Sequence, residues 1–253
     1  MKLGKKPASR LLSTPALGDF LPRAAEWPTV APRGWEYASG IQLDMLANDT
    51  VGDCVIAAMM HYAQVETANT DNPLTPTKEL ALQTYSAITG YNPDDPSTDQ
   101  GTDIQGQALP YWKSTGIPML DKNGNQVLHK ILGWASLDLS SIAQQRYACD
   151  TFGGILLGIN CPQSAEDDTS NWTYDPSSPI IGGHGINMVG QGGAGWHINS
   201  WGLCIPGTWE FSLKLMDEAY AVVTAAWLNS QGKSPSGLDL DGLLAAMQGL
   251  GAN

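Results

Sequence analysis

The chain is short of positive charge. It carries 13 Lys and Arg against 25 Asp and Glu in 253 residues, a formal net charge of −12. Nucleic acid and anionic membrane surfaces both require Lys/Arg neutralisation, so neither is expected as the main partner. No apolar run approaches the roughly 18 residues needed to cross a bilayer. The start, "MKLGKKPASRLLSTPALGDFL", is basic and then broken by Ser13, Thr14, Pro15 and Asp19, so it lacks the continuous apolar stretch of a secretory signal. A cytoplasmic protein is expected, with residues 1–20 as an exposed arm or one docked on a partner. Cysteine is sparse: Cys54, Cys149, Cys161 and Cys204 are too few for a disulfide scaffold of this length and form no CxxC pair, and the four histidines are scattered. No metal and no cofactor are expected. Without a secretory signal, the sequons at Asn48 and Asn171 are discounted.

The composition, 42% hydrophobic and 15% charged, is that of a folded chain long enough to build a substantial core. In "CVIAAMMHYAQVETA" (54–68), Val55, Met59, Tyr62 and Val65 recur at helical spacing, which predicts a helix with one buried face. Asp53 is its expected N-cap, placing Cys54 in the first turn. Further helices are predicted at 75–88 and at 104–116, on either side of a Pro-broken polar loop at 92–103. The second half changes character. Strands are predicted in "HKILGWASL", "GILLGINCP", "HGINMVGQ" and "GWHINSW", with a helix in "SSIAQQRYACDTFG". "DEAYAVVTAAWL" suits either strand or helix. This is an α+β arrangement of two lobes, not a βαβ alternation.

Three short motifs dissolve on inspection. "GQGGAG" (190–195) matches GxGxxG but leads into a strand, where a dinucleotide fingerprint opens a helix; it reads as a hairpin loop. "DKNGN" lacks the Gly and Glu of a calcium loop at its sixth and twelfth positions, the latter being Leu132, and reads as a β-turn. "DLDG" near the end reads as helix-cap chemistry.

Cys54 is more informative. A cysteine on an apolar helix is usually core. At a helix N-terminus, however, the free N–H groups and the dipole favour a thiolate. Asp53 opposes this with a negative charge, so a cationic partner is needed. His184, flanked by Gly182, Gly183 and Gly185 at the start of a strand, is the candidate. Asn199 lies on the next strand, where an amide could fix the imidazole. His184 follows Cys54 by 130 residues and Asn199 by 145, within the spacing of about 130–150 residues seen in the papain-type order.

Five segments in order resemble the papain-like cysteine peptidases: "LPRAAEW", "NDTVGDC", "DQGTDIQGQALPYWKSTGI", "GGHGINMVGQ" and "GWHINSWG". The resemblance covers roughly residues 20–225. It implies a helical lobe at about 44–120, a β lobe at about 121–228, and a cleft between them with the central helix starting at the nucleophile. Residues 229–253 would form a C-terminal helical extension. It further implies Cys54 as nucleophile, His184 as base, Asn199 as orienter and Trp201 as a shield over the His184–Asn199 bond. Asn48, with the Cys54 backbone N–H, would form the oxyanion hole. Gly101, Gln100 and Gly183 would line the substrate groove. The sequence departs from the family pattern at Asn48, which replaces a Gln, and at Asp53 and Val55 beside the nucleophile. Gln100 stands where the first of two paired glycines is expected. Val51 replaces a disulfide cysteine, consistent with a reducing compartment. The 53 residues before Cys54 leave no room for a full inhibitory propeptide, so a conventional zymogen is not expected.

The function expected is hydrolysis of peptide or isopeptide bonds through an acyl-enzyme, with a peptide or protein substrate. The alternatives are amidase or acyl-transfer chemistry on the same residues, or a binding or structural component of a larger assembly such as a phage particle, with the triad little used.

Overall fold

The computed structural model describes residues 1–9, 14–22, 37–231 and 238–249. The helical lobe holds α1 (Cys54–Ala68) and α2 (Lys78–Thr89). A π-helical turn at Ile104–Ala108 then runs on into α3 (Leu109–Ser114), and the hairpin β1 (Ile117–Leu120) and β2 (Gln126–His129) follows. The second lobe is an antiparallel six-stranded sheet. Its strands in chain order are β3 (Gly133–Ser136), β4 (Ile155–Pro162), β5 (Ile180–Gln191), β6 (Gly195–Ser200), β7 (Leu203–Thr208) and β8 (Met216–Val223). They lie side by side as β3-β8-β4-β5-β6-β7. The connections carry α4 (Ile142–Phe152), α5 (Gln163–Asp167) and α6 (Trp209–Leu215), and α7 (Ala225–Gln231) and α8 (Leu240–Gly249) follow the sheet.

Local chemistry sets the boundaries. The Thr77 hydroxyl accepts from the Leu80 N–H to cap α2, and Gly90, at φ 77°, ends it in the left-handed region where glycine carries no Cβ penalty. Ser141 and Thr208 cap α4 and α6 in the same way. The α1 boundary at Cys54 agrees with the sequence, but two expectations about this helix are corrected. It has no solvent face: fourteen of its fifteen residues are buried, because the sheet covers one side and the rest of the helical lobe the other. Asp53 occupies the N-cap position, yet its side chain makes no capping hydrogen bond.

"DEAYAVVTAAWL" is both strand and helix, changing from β8 to α7 at Thr224. The strands β1, β2 and β7 were not foreseen. β7 contains Pro206, which is tolerated because β7 is an edge of the sheet. The GQGGAG segment is the β5–β6 hairpin, as its context suggested. At the C-terminal end, Leu243 and Met247 of α8 are buried in the core of the β lobe, where a Cβ on Gly133 would come within 2.6 Å of Met247. "LPRAAEW" lies outside the described residues from Arg23 onward.

Candidate active site

Cys54 reaches the lobe junction because two residues before it take unusual backbone angles. Leu46 (φ 51°) and Ala47 (φ 82°) coil residues 45–51 into a tight turn, which sets Asn48 beside the start of α1. From the other lobe, β5 runs directly against that helix end. Its Gly185 lies so near that an added Cβ would sit 3.0 Å from Val55 Cα. The Gly185 N–H donates to Cys54 Sγ at 3.4 Å, and the Asn187 amide donates to the Ala58 carbonyl at 2.6 Å, pinning strand to helix.

His184, one residue before Gly185, is buried and lines a small cavity with Cys54, Asn48, Ala57, Asn199 and Trp201. Its Nε2 lies 2.7 Å from Ser200 Oγ, while Nδ1 has no hydrogen-bond partner among the described residues. Trp201 stacks on the imidazole with ring centroids 4.6 Å apart and planes 24° apart. This stacking depends on the turn that follows β6. Trp201 (φ 51°) and Gly202 (φ 71°) form a two-residue hairpin loop with positive φ at both positions. A tryptophan in that region carries a strain of order 1–3 kcal/mol, and the conformation is what carries the indole back over His184.

The cleft above these residues is filled by the chain's own N-terminal arm, which the sequence had led us to expect exposed or docked on a partner. Lys5 N–H donates to the Gly183 carbonyl at 3.1 Å. On the other wall, Thr102 N–H donates to the Gly4 carbonyl at 2.7 Å and Lys6 N–H donates to the Thr102 carbonyl at 2.9 Å, a parallel bridge centred on Lys5 and Thr102. Glycines make this approach feasible: a Cβ on Gly101 would lie 2.1 Å from the Gly4 oxygen, and one on Gly183 would lie 2.4 Å from the Lys5 oxygen. The arm is therefore an extended peptide held by backbone bonds in a groove between the lobes.

No family model and no curated protein matches the chain in sequence. Solved structures do match it. Xylellain, a cysteine protease from Xylella fastidiosa, aligns with a TM-score of 0.62 at 13% identity, covering 88% of this chain and 96% of that one. Procathepsin B S9 from Trypanosoma congolense aligns at 0.54 and 13% identity over 88% and 86%. The Carica candamarcensis cysteine protease CMS1MS2, solved in complex with E-64, aligns at 0.54 and 14% identity over 76% and 97%. The fold is papain-like. The lobes and the helix starting at Cys54 follow that architecture.

In this papain-like cleft, burial dominates the electrostatics. It pushes the Cys54 thiol up to about 11, against the pull of the Gly185 and Gly4 N–H groups, and drives His184 down to about 3. The closed pair is a neutral thiol and a neutral imidazole. Burial also raises Asp53 well above the ordinary carboxylate range. The Asp53 carboxyl still adds, after burial, to the upward shift of the thiol, so the opposition that its position raised remains.

The expected site residues divide as follows. Cys54, His184, Asn48, Asn199 and Trp201 come together, and Gly101 and Gly183 form opposite walls of the groove. Gln100 faces outward, donating to the Ser97 carbonyl at 2.6 Å. The Asn48 amide donates to the carbonyls of Lys2, at 2.9 Å, and Val51, at 3.1 Å. The side chain on His184 Nε2 is Ser200, whereas both amide atoms of Asn199 lack a hydrogen-bond partner among the described residues. His61, two helical turns after Cys54, lines the same cavity and is held down at about 4 by burial. Its i+7 spacing from Cys54 was the available signal. Among the described residues, no group of three or more His, Cys, Asp or Glu could hold a metal ion. No described helix is long and apolar enough to cross a membrane.

Proposed function

We propose that the chain is a cysteine peptidase, with Cys54 as nucleophile and His184 as base, whose cleft is closed by its own N-terminal arm. The observation that carries this is the arm itself: an extended peptide lies by backbone pairing in the groove, bonded to Gly183 on one wall and to Thr102 on the other. A groove that holds a peptide in this way suits a peptide substrate better than a small amide.

With the arm displaced, water reaches both groups, and the thiol proton passes to His184 Nδ1. Sγ then bonds to the scissile carbonyl carbon, and the carbonyl electron pair moves onto oxygen. The Cys54 N–H and the Asn48 amide, released from Lys2, would stabilise that oxyanion. The C–N bond breaks as His184 protonates the leaving nitrogen. A water deprotonated by His184 then attacks the thioester, releasing the acid and restoring the thiol. Ser200 holds Nε2 in the closed state, and Asn199 lines the same cavity without a bond to the imidazole.

One observation favours a second reading, a binding or structural component with a silent triad: the thiol is held up and the cleft is filled. Labelling with E-64, which the Carica protease binds, separates the two. The expected result is epoxide adduct on Cys54 between pH 6 and 8, with cleavage of a peptide library by the same preparation. A Cys54 that stays unlabelled while the library stays intact, in the full chain and in Lys5→Ala alike, supports the silent component.

A further inference from the structure

The arm's side chains carry a second message. Lys5 is buried to 1% exposure, and its ammonium lies 2.9 Å from both Asp217 and Glu218. Neighbouring residues of a strand ordinarily face opposite ways. Here the pairing of β8 with β4 slips between Gly158 and Ile159, so that Gly158 faces Glu218, Ile159 faces Met216, and Asp217 is the extra residue of a bulge. Bulges re-aim side chains, and this one turns two consecutive carboxylates toward one point. The Tyr220 hydroxyl donates to Glu218 at 2.8 Å and fixes its orientation. Gly158 supplies the space, since a Cβ there would lie 1.9 Å from Lys5 Cε. An open hollow of about 280 Å³ continues beyond, bordered by Gln105, Leu137, Asp217, Glu218 and Tyr220.

We infer that Asp217 and Glu218 form a specificity pocket for a Lys or Arg side chain of the peptide in the cleft, a place held in the closed state by Lys5. The inference rests on the peptidase reading and names its substrate class. Two largely buried carboxylates facing one hollow repel each other and are costly to leave unpaired, so the pocket favours a cation over an apolar side chain. It adjoins the reacting atoms: the Lys5 N–H donates to the carbonyl of Gly183, the neighbour of His184. The chain's surplus of acidic residues agrees in sign, but the pocket is local and does not depend on it.

The test uses full-length Lys5→Ala, which vacates the pocket, and fluorogenic peptides in which Arg, Lys, norleucine or Glu is scanned through the three residues before the scissile bond. At one position, Arg and Lys should exceed norleucine in kcat/KM by about 10- to 100-fold, with Glu poorest. Glu218→Gln in that background should reduce the advantage of Arg and Lys over norleucine several-fold. Asp217→Asn, the other half of the pocket, provides the same readout should Glu218→Gln fold poorly. Cleavage with norleucine as good as Lys and Arg at every position overturns the specificity inference and leaves the peptidase intact. No cleavage of any peptide, together with no epoxide adduct on Cys54, removes the peptidase reading and the inference with it.

Discussion

Replacing Lys5 by methionine tests how the cleft is kept shut. Methionine keeps the apolar stem that lies against Gly158 and removes the charge. In the closed state, the Lys5 ammonium loses two contacts of 2.9 Å to Asp217 and Glu218 and one of 3.1 Å to the Lys6 carbonyl. Breaking a buried pair from one side costs about 3–5 kcal/mol. Asp217 keeps 27% of its side chain in solvent, and methionine recovers some stem burial, so about 2–3 kcal/mol is the expected loss of closure. At 1.4 kcal/mol per tenfold, the open fraction rises roughly 30- to 150-fold. Iodoacetamide at pH 7.5 reads this directly, because Cys54 is alkylated only while the arm is off and its rate follows the open population. Cys204, half-buried and far along the chain, serves as the internal standard, and its rate should not change. A thermal melt confirms that the variant is folded. A Cys54 rate within about twofold of the parent would refute the reasoning, since the arm would then be held by its backbone bonds alone.

Three further outcomes are expected. Acid should loosen the arm: His184 is held at about 3 when closed and returns toward the ordinary value near 6.5 when water reaches it. This depressed group contributes closure that is present above about 6.5 and lost as the pH falls toward 3. Between pH 7 and pH 5 the loss is about 2 kcal/mol, or roughly 25-fold in opening, measurable as a fall of that size in the protection factors of the Lys5 and Lys6 amides, each rate being taken relative to the intrinsic exchange rate at the same pH; unchanged protection factors would show that opening does not expose His184. In an opened background such as Lys5→Ala, Asn48→Ala should lower kcat about 10²–10³-fold with little change in KM, and an unaltered kcat would make Asn48 purely structural. In the same background, Ser200→Ala should lower kcat about 10-fold and Asn199→Ala less; the reverse order would assign the imidazole to Asn199 once the cleft opens.

The features legible in the sequence were those with a local cause. The helix at 54–68 was marked by its periodicity and by the turn before it. Cys54, His184 and Trp201 were marked by short motifs in a fixed order. What was not legible depended on partners distant in the chain. The burial of α1 on every side comes from the helical lobe on one side and, on the other, from strands β4 and β5 that lie more than 80 residues later, so its polar residues His61, Gln64 and Glu66 gave a false impression of a solvent face. Ser200 and Asn199 are adjacent, and strand alternation lets only one of them approach Nε2 in a given register. The resemblance pointed to Asn199, and the packing of β6 put Ser200 there. Asp217 and Glu218 in "LKLMDEAY" look like two ordinary surface acids. Only the bulge opposite Gly158, and a lysine more than 200 positions earlier, give them a common target.

The enclosure of α1 also determines how the molecule breathes. Its amides form helical bonds beneath both lobes, so no local fluctuation exposes them, and their hydrogen exchange should occur only when the whole chain unfolds. The bonds that the Lys5 and Lys6 amides make to Gly183 and Thr102 lie at the mouth of the cleft and can break while everything beneath stays folded. The difference between the two exchange free energies is then a direct measure of how far the arm can open before the nucleophile's own helix is put at risk.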